Sequence, residues 1–255
     1  MLFNSIVYGP IHSRRLGTSL GVELMPLEHK LCTFNCVYCE CGWNEPVTHP
    51  VLPTREEVHA ALEEKLSTID YRQSTIDVIT FSGNGEPTLH PDFLGIIEDT
   101  IALRDRYCPK AKVSVLSNST QLGRPDVVQA LRLCDNRILK LDAATDEMMR
   151  RIDLPVNKNL TVAHIIEWLQ QFNGDFTLQT CFLRGEHTGL KIDNTTPEEL
   201  EAWYHAVELL RPKQIMIYVI DRKTPEEHLE KIPRERMETI AAPLIAKGHD
   251  VIISA

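Results

Sequence analysis

K-L-C-T-F-N-C-V-Y-C-E-C-G, running from Lys30 to Gly42, packs four of the chain's seven cysteines into ten residues. Cys32, Cys36 and Cys39 fall at C-x-x-x-C-x-x-C spacing, and thiolates that close together on one loop can hold three irons of a [4Fe-4S] cubane. The fourth iron is then left without a protein ligand unless Cys41 supplies it, and an open iron is a place for a substrate or cofactor to bind. Zinc is the competing reading, with Cys39 or Cys41 as fourth ligand, although a zinc ribbon brings a second C-x-x-C knuckle and none follows here. Clustered cysteines also occur as disulfides of small secreted domains. A chain of 255 residues with no signal-peptide pattern fits a reduced, cytoplasmic setting better. Spacing alone leaves iron–sulfur and zinc both open.

Ahead of this loop, Tyr8 to Leu24 reads Y-G-P-I-H-S-R-R-L-G-T-S-L-G-V-E-L. Its glycines and proline punctuate turns and a short strand. Two readings stand side by side, a surface lead-in strand and an arginine pair, Arg14 and Arg15, that meets an anionic group near the cysteines. Behind the loop, the proline-spaced P-V-T-H-P-V-L-P is a connector, and Thr54 with Glu57 forms a capping box that starts a helix running to about Leu66.

From there strands and helices alternate. Ile76 to Ser82, Lys112 to Asn118, Arg137 to Asp142, Phe176 to Leu183, Gln214 to Asp221 and Asp250 to Ser254 read as strands. Helical patterns occupy 92–106, 125–134, 145–152, 161–172, 197–210 and 234–247. Repeated β-then-α order makes a parallel sheet, open or barrel-like. Strand parity chooses between them. Ile79 and Phe81 leave Thr80 and Ser82 on the other face; Val113 and Val115 leave Ser114 and Asn118; Leu139 and Leu141 leave Lys140 and Asp142; Phe176, Leu178 and Phe182 leave Gln179 and Cys181. One polar face repeated on four strands fits a curved sheet around a wet cavity.

Composition bounds the function. Hydrophobic residues make up 43% and charged residues 25% of the chain, enough for a sizeable core, and no apolar run reaches membrane-spanning length. A net charge of −9 argues against broad nucleic-acid binding while leaving room for a local basic patch. No H-x-x-x-H or H-E-x-x-H pattern points to a separate histidine metal site. Cys108 and Cys134, at helix ends, read as packing residues.

The second informative stretch is S-G-N-G-E-P-T-L, Ser82 to Leu89, directly after a strand. Its glycines let backbone approach a ligand, and Glu86 sets a carboxylate at the strand's C-terminal end, where α/β ligand sites lie. With both stretches in view, the sequence resembles the radical S-adenosylmethionine (SAM) superfamily. Cys32, Cys36 and Cys39 look like that family's cluster ligands, whose open iron SAM chelates. Tyr38 matches the aromatic position that contacts adenine. Gly83, Gly85 and Glu86 resemble the Gly-Gly-Glu motif that binds the methionine amino group, with Asn84 as a departure. Asn118 and Asp142 resemble positions that contact methionine or ribose.

The resemblance implies an α/β fold of the partial (β/α)6 TIM-like barrel type, with 1–255 as one domain, 1–29 as lead-in and 30–42 as cluster loop. It also implies a [4Fe-4S] cluster, SAM and a reducing partner such as flavodoxin or ferredoxin. The expected reaction is reductive cleavage of SAM to a 5′-deoxyadenosyl radical that takes hydrogen from a substrate: an RNA, a peptide or a small metabolite. The opening motif, with V-I-D-R at Val219 to Arg222, is similar to stand-alone proteins related to the wyosine-forming tRNA enzymes. Those enzymes carry further cysteines ahead of the SAM loop, and none precedes Cys32, so the tRNA reaction is not carried over. The alternatives are an activase that installs a glycyl radical on a partner, and a non-catalytic iron–sulfur or zinc module. Within the cavity, Lys140 and Cys181 are candidate catalytic residues. A buried ammonium needs an anionic partner such as Asp142 or a ligand group, and a thiol can return a hydrogen atom to a substrate radical or simply fill space.

Overall fold

The computed structural model describes residues 2–13, 17–69 and 75–255. Arg14 and Arg15, and so the reading placed on them, lie outside the described residues. The chain divides into two compact units: Met1–Cys32, Asn44–Ser117 and Gln121–Arg137 form the first, and Thr33–Trp43, Asn118–Thr120 and Ile138–Ala255 the second.

In the first unit β1 (Val7–Ser13) pairs antiparallel with β2 (Gly17–Val22), and β2 runs parallel to β3 (Val78–Phe81), which runs parallel to β4 (Lys112–Ser117). The surface lead-in reading of Tyr8 to Leu24 is therefore corrected. β2 has neighbours on both sides, and Leu20 and Val22 are fully buried. Its signal was faint because glycines and hydroxyl residues dilute the apolar alternation. Helix α1 (Arg55–Thr68) starts at the expected capping box, Thr54 accepting from Glu57 N while the Glu57 carboxylate accepts from Thr54 N. Helix α2 (Phe93–Tyr107) buries Phe93, Ile96, Ile97 and Leu103 at helical spacing, and α3 (Pro125–Leu133) opens on a proline whose missing N–H no helix start needs.

The second unit holds most of β5 (Asn136–Lys140), then α4 (Asp146–Ile152), α5 (Val162–Gln170), β6 (Thr177–His187), β7 (Leu190–Asp193), α6 (Pro197–Leu210), β8 (Gln214–Val219), β9 (Leu229–Lys231), α7 (Arg234–Ala246) and β10 (Val251–Ser254). β5, β6, β8 and β10 are parallel neighbours. Strand order is β1-β2-β3-β4 in the first unit and β5-β6-β8-β10 in the second, with β7 and β9 both on β6. β6 runs four residues past the expected Leu183, and β7 and β9 flank that extension antiparallel.

The alternation expected of the strands holds. In the first unit Ser19 Oγ meets Thr80 Oγ1 at 2.8 Å, Thr80 pairs with Ser114, and Asn136 donates to Ser114 Oγ at 2.9 Å. In the second, Lys140, Gln179 and Met216 share one row, and Cys181 and Tyr218 share another on the same face. The opposite face of β6 is apolar against α6: Phe182 meets the Trp203 ring edge-on, and Thr180, the polar exception, accepts from the Trp203 indole at 3.0 Å.

Candidate functional site

In the first unit the backbone just ahead of Cys32 is stitched to the S-G-N-G-E stretch. Leu31 N donates to Asn84 O at 3.0 Å and Glu86 N donates to Leu31 O at 3.0 Å, a parallel bridge between Leu31 and Gly85. Both glycines serve this junction. Gly85 sits at φ +152°, and a Cβ there would lie 1.7 Å from the Leu31 carbonyl oxygen; a Cβ on Gly83 would lie 1.4 Å from the Glu23 carboxylate. Leu31 and Glu23 fill the space a Cβ would take, a steric reason for glycine that stands beside the expected approach of this backbone to a ligand. Glu86 is buried, caps the short 3-10 turn Pro87–Leu89, and accepts at Oε1 from Thr88 N at 3.1 Å and from the Thr88 hydroxyl.

The cysteine loop continues in the second unit, where its backbone donors meet helix-end acceptors. Asn35 N donates to Asp153 O at 2.8 Å and Val37 N to Ile152 O at 2.9 Å, satisfying carbonyls that the end of α4 leaves open. Tight turns follow, with Cys39 N on Cys36 O and Gly42 N on Cys39 O. The Cys36 thiol donates to Asp153 Oδ1 at 3.4 Å, and burial, with Asp142 adding to it, pushes that carboxyl well above the usual range. Asn118 is turned onto the same loop: its Nδ2 donates to Thr33 Oγ1 at 2.9 Å while its Oδ1 accepts from Thr120 N and Oγ1.

Behind the loop lies a buried polar network centred on Asp142. Its Oδ2 accepts from the Tyr38 hydroxyl and lies 3.1 Å from Lys140 Nζ, and its Oδ1 accepts from Cys181 N at 2.7 Å. Lys140 also donates to the Tyr218 hydroxyl, and its ammonium sits 5.0 Å from the Tyr38 ring centre and 4.9 Å from that of Tyr218. Burial alone pulls a lysine down, but Asp142, then Tyr218 and Cys181, more than offset it and hold Lys140 charged. The anionic partner that burial demanded is thus Asp142. Cys181 is fully buried on the same face, and burial pushes its thiol up, so it stays S–H.

Four residues of these buried networks escaped the sequence reading. Tyr218 lies in an apolar run, Q-I-M-I-Y-V, where parity on the last strands was not followed. Asn194, on the excursion after β7, is buried and donates to the carbonyls of Asp142 and Cys181, both at 2.7 Å, fixing the two strand ends. Asp153 ends a helix, and Glu23 ends a short strand; neither sits in a motif.

All seven cysteines are thiols rather than disulfides, and those of the loop are half-buried. Among the described residues no three His, Cys, Asp or Glu side chains converge on one point. A cubane takes one thiolate per iron instead of three about one ion, so Cys32, Cys36 and Cys39 on successive turns suit it in kind and number. No helix among the described residues is long and apolar enough to cross a membrane.

Comparisons with known proteins follow the same line. A UPF0026 protein of Helicobacter pylori is 34% identical over 71% of this chain, which covers 57% of that protein. A protein named GTPase Obg from Brachyspira hyodysenteriae is 31% identical over 91% of this chain, which spans only 32% of that longer protein. The solved structure of TYW1 with a lysine-pyruvate adduct bound has the same fold, with a TM-score of 0.62 at 15% identity over 92% of this chain and 75% of that one. Residues 29–188 match the model of the Radical SAM superfamily, so the expected partial (β/α)6 class of fold stands. The chain belongs to the radical SAM superfamily, whose members bind a [4Fe-4S] cluster and SAM.

Proposed function

We propose that the protein binds a [4Fe-4S] cluster through Cys32, Cys36 and Cys39 and uses it to cleave SAM reductively. A cluster so held would, once reduced by a partner of the flavodoxin or ferredoxin class, supply the electron for splitting SAM into methionine and a 5′-deoxyadenosyl radical that would take hydrogen from a substrate. The observation that carries this reading is the Leu31–Gly85 bridge, because it fixes Glu86 one residue's reach from Cys32. Glu86 accepts the methionine ammonium in a charge-assisted bond. We assign adenosine contacts to Tyr38 and Asp142, and Asn118 holds Thr33 of the loop. Lys140 keeps the Tyr38–Asp142–Tyr218 group in place, and Cys181, a neutral thiol facing Tyr218, packs there with a hydrogen atom to give. Seven thiols fit a reducing compartment such as the cytoplasm.

The test is anaerobic reconstitution of single Cys→Ala variants, read by iron content and visible absorbance. Cys32→Ala, Cys36→Ala and Cys39→Ala lose the cluster, and Cys41→Ala keeps it; the reverse pattern for Cys39 and Cys41 would overturn the ligand set. Glu86→Ala keeps the cluster and binds SAM more weakly by about 1.5–3 kcal/mol in calorimetry. Cys181→Ala retains cluster and uncoupled SAM cleavage, measured as 5′-deoxyadenosine formed under dithionite.

A further inference from the structure

The interposed Asn84 is what makes this version of the glycine motif unusual, and its surroundings give it a purpose. It is fully buried. Its side chain accepts from Phe3 N at 2.7 Å and donates to Phe3 O at 2.7 Å and Pro26 O at 3.1 Å, while its own N–H donates to Glu23 Oε2. Glu23 Oε1 accepts from Met25 N at 2.8 Å, so one buried carboxylate ties the end of β2 to the motif loop through two backbone donors. Gly83 is the residue that admits this carboxylate, and Gly85 the one that admits Leu31. The chain of contacts therefore runs from Glu23 to Asn84, from Asn84 and Glu86 to Leu31, and on to Cys32.

We propose that Glu23 and Asn84 form a lock that positions the Gly83–Glu86 loop for SAM, and that SAM affinity depends on Glu23 being ionised. The proposal rests on reading that loop as the SAM-binding motif. An ionised carboxylate accepts both N–H groups strongly, whereas a protonated one is a weaker acceptor. Backbone N–H groups of Met25, Asn84 and Leu24 face Glu23, with burial the dominant influence and no charged side chain among those that act on it. Burial pushes its pKa up to about 7 despite those donors, which puts the lock's titration within the working range of pH. Glu23 is thus a positioning residue that acts through Asn84 and touches no reacting atom.

The test measures SAM affinity by calorimetry on reconstituted wild type, Glu23→Gln and Glu86→Gln from about pH 6 to about pH 8.5. Ionisation of SAM itself is common to all three and cancels in the ratio of affinities. Glu23→Gln should bind SAM about fivefold or more weakly than wild type above pH 8, with the ratio closing toward one near pH 6, where wild-type Glu23 is itself neutral. A ratio that stays constant across the range would make Glu23 a plain packing residue and overturn the lock. Weakening in Glu86→Gln alone would leave the SAM reading standing and remove the lock; no weakening in either variant would remove both. Should Glu23→Gln fail to fold, wild type labelled with carboxyl-13C glutamate decides the matter. Binding that prefers the ionised form must lower the Glu23 midpoint when SAM is added, and an unmoved midpoint rejects the proposal.

Discussion

Glu23 and Asp142 are both buried carboxylates next to the motifs that identify the superfamily, yet they are held by opposite means. Asp142 faces an ammonium and a phenol as well as a backbone N–H. Among the described residues, the donors to Glu23 are backbone N–H groups. A cation repays the desolvation of a carboxylate through a full charge, and a peptide N–H through a partial one. The first arrangement sets a full positive charge against the carboxylate; the second leaves Glu23 near balance with its neutral form. The two regions therefore should respond differently to the same insult.

The largest difference is expected at Lys140. Lys140→Met removes the one cation on Asp142 Oδ2 and leaves a carboxylate buried beside two aromatic rings, which should cost about 3–5 kcal/mol in denaturant unfolding. The double change Lys140→Met with Asp142→Asn should cost less than the single one, since neutralising the stranded charge relieves it. If the single and double variants lose equal stability, the network is held by packing around Tyr38 and Tyr218 and the charge argument breaks.

Glu23 should show the opposite sign. Its folded-state pKa is raised from 4.5 to about 7, so the native state binds a proton that the unfolded chain releases between those values. The stabilisation is complete below about pH 4.5 and is lost as pH rises through about 7. A shift of that size corresponds to roughly 3 kcal/mol. Wild type should lose about that much stability relative to Glu23→Gln between about pH 4 and about pH 8, in urea titrations at matched ionic strength. The region that gains SAM affinity on ionisation is then the one that gives up stability for it, a common arrangement at functional sites. A pH-independent difference between the two proteins would place Glu23 with Asp142 after all.

The same contrast explains what the sequence could and could not disclose. Cys32, Cys36 and Cys39 stand out in the sequence by their spacing within one loop, and Glu86 by the glycine turn that precedes it after a strand. Lys140, Asp142 and Cys181 follow from period-two alternation along β5 and β6, and Thr80 and Ser114 from that along β3 and β4, a local property of any strand. Glu23 leaves no such trace, since its partner Asn84 is 61 residues away and binds through a backbone N–H that every residue owns. The extension of β6 was lost at Arg184, Gly185 and Glu186, where polar side chains and a glycine at φ +146° break the apolar pattern that marks a strand. Gly185 is there because the His228 carbonyl of the returning loop lies where a Cβ would be.

A third carboxylate, Glu226 of the segment between β8 and β9, meets the tip of that extension and completes the comparison. His187 Nδ1, at the tip of β6, lies 2.7 Å from Glu226 Oε2, His228 Nδ1 lies 3.1 Å from Oε1, and Glu226 N donates to Val37 O of the cysteine loop. The His187 bond is the main reason its pKa falls to about 2, with the His228 N–H next. Stability from this group is present above about pH 4.5 and fades as pH falls toward 2, the reverse of Glu23. Water screens the pair, so Glu226→Gln should cost only about 1 kcal/mol at neutral pH. Its clearer mark should be on Trp43, whose ring lies 5.5 Å from that of His187: freeing the imidazole from Glu226 should change Trp43 fluorescence without moving the cluster's absorbance. A stability loss as large as that of Lys140→Met would mean that the β6 extension holds the cysteine loop in place, and that exposure to water is not what separates the three carboxylates.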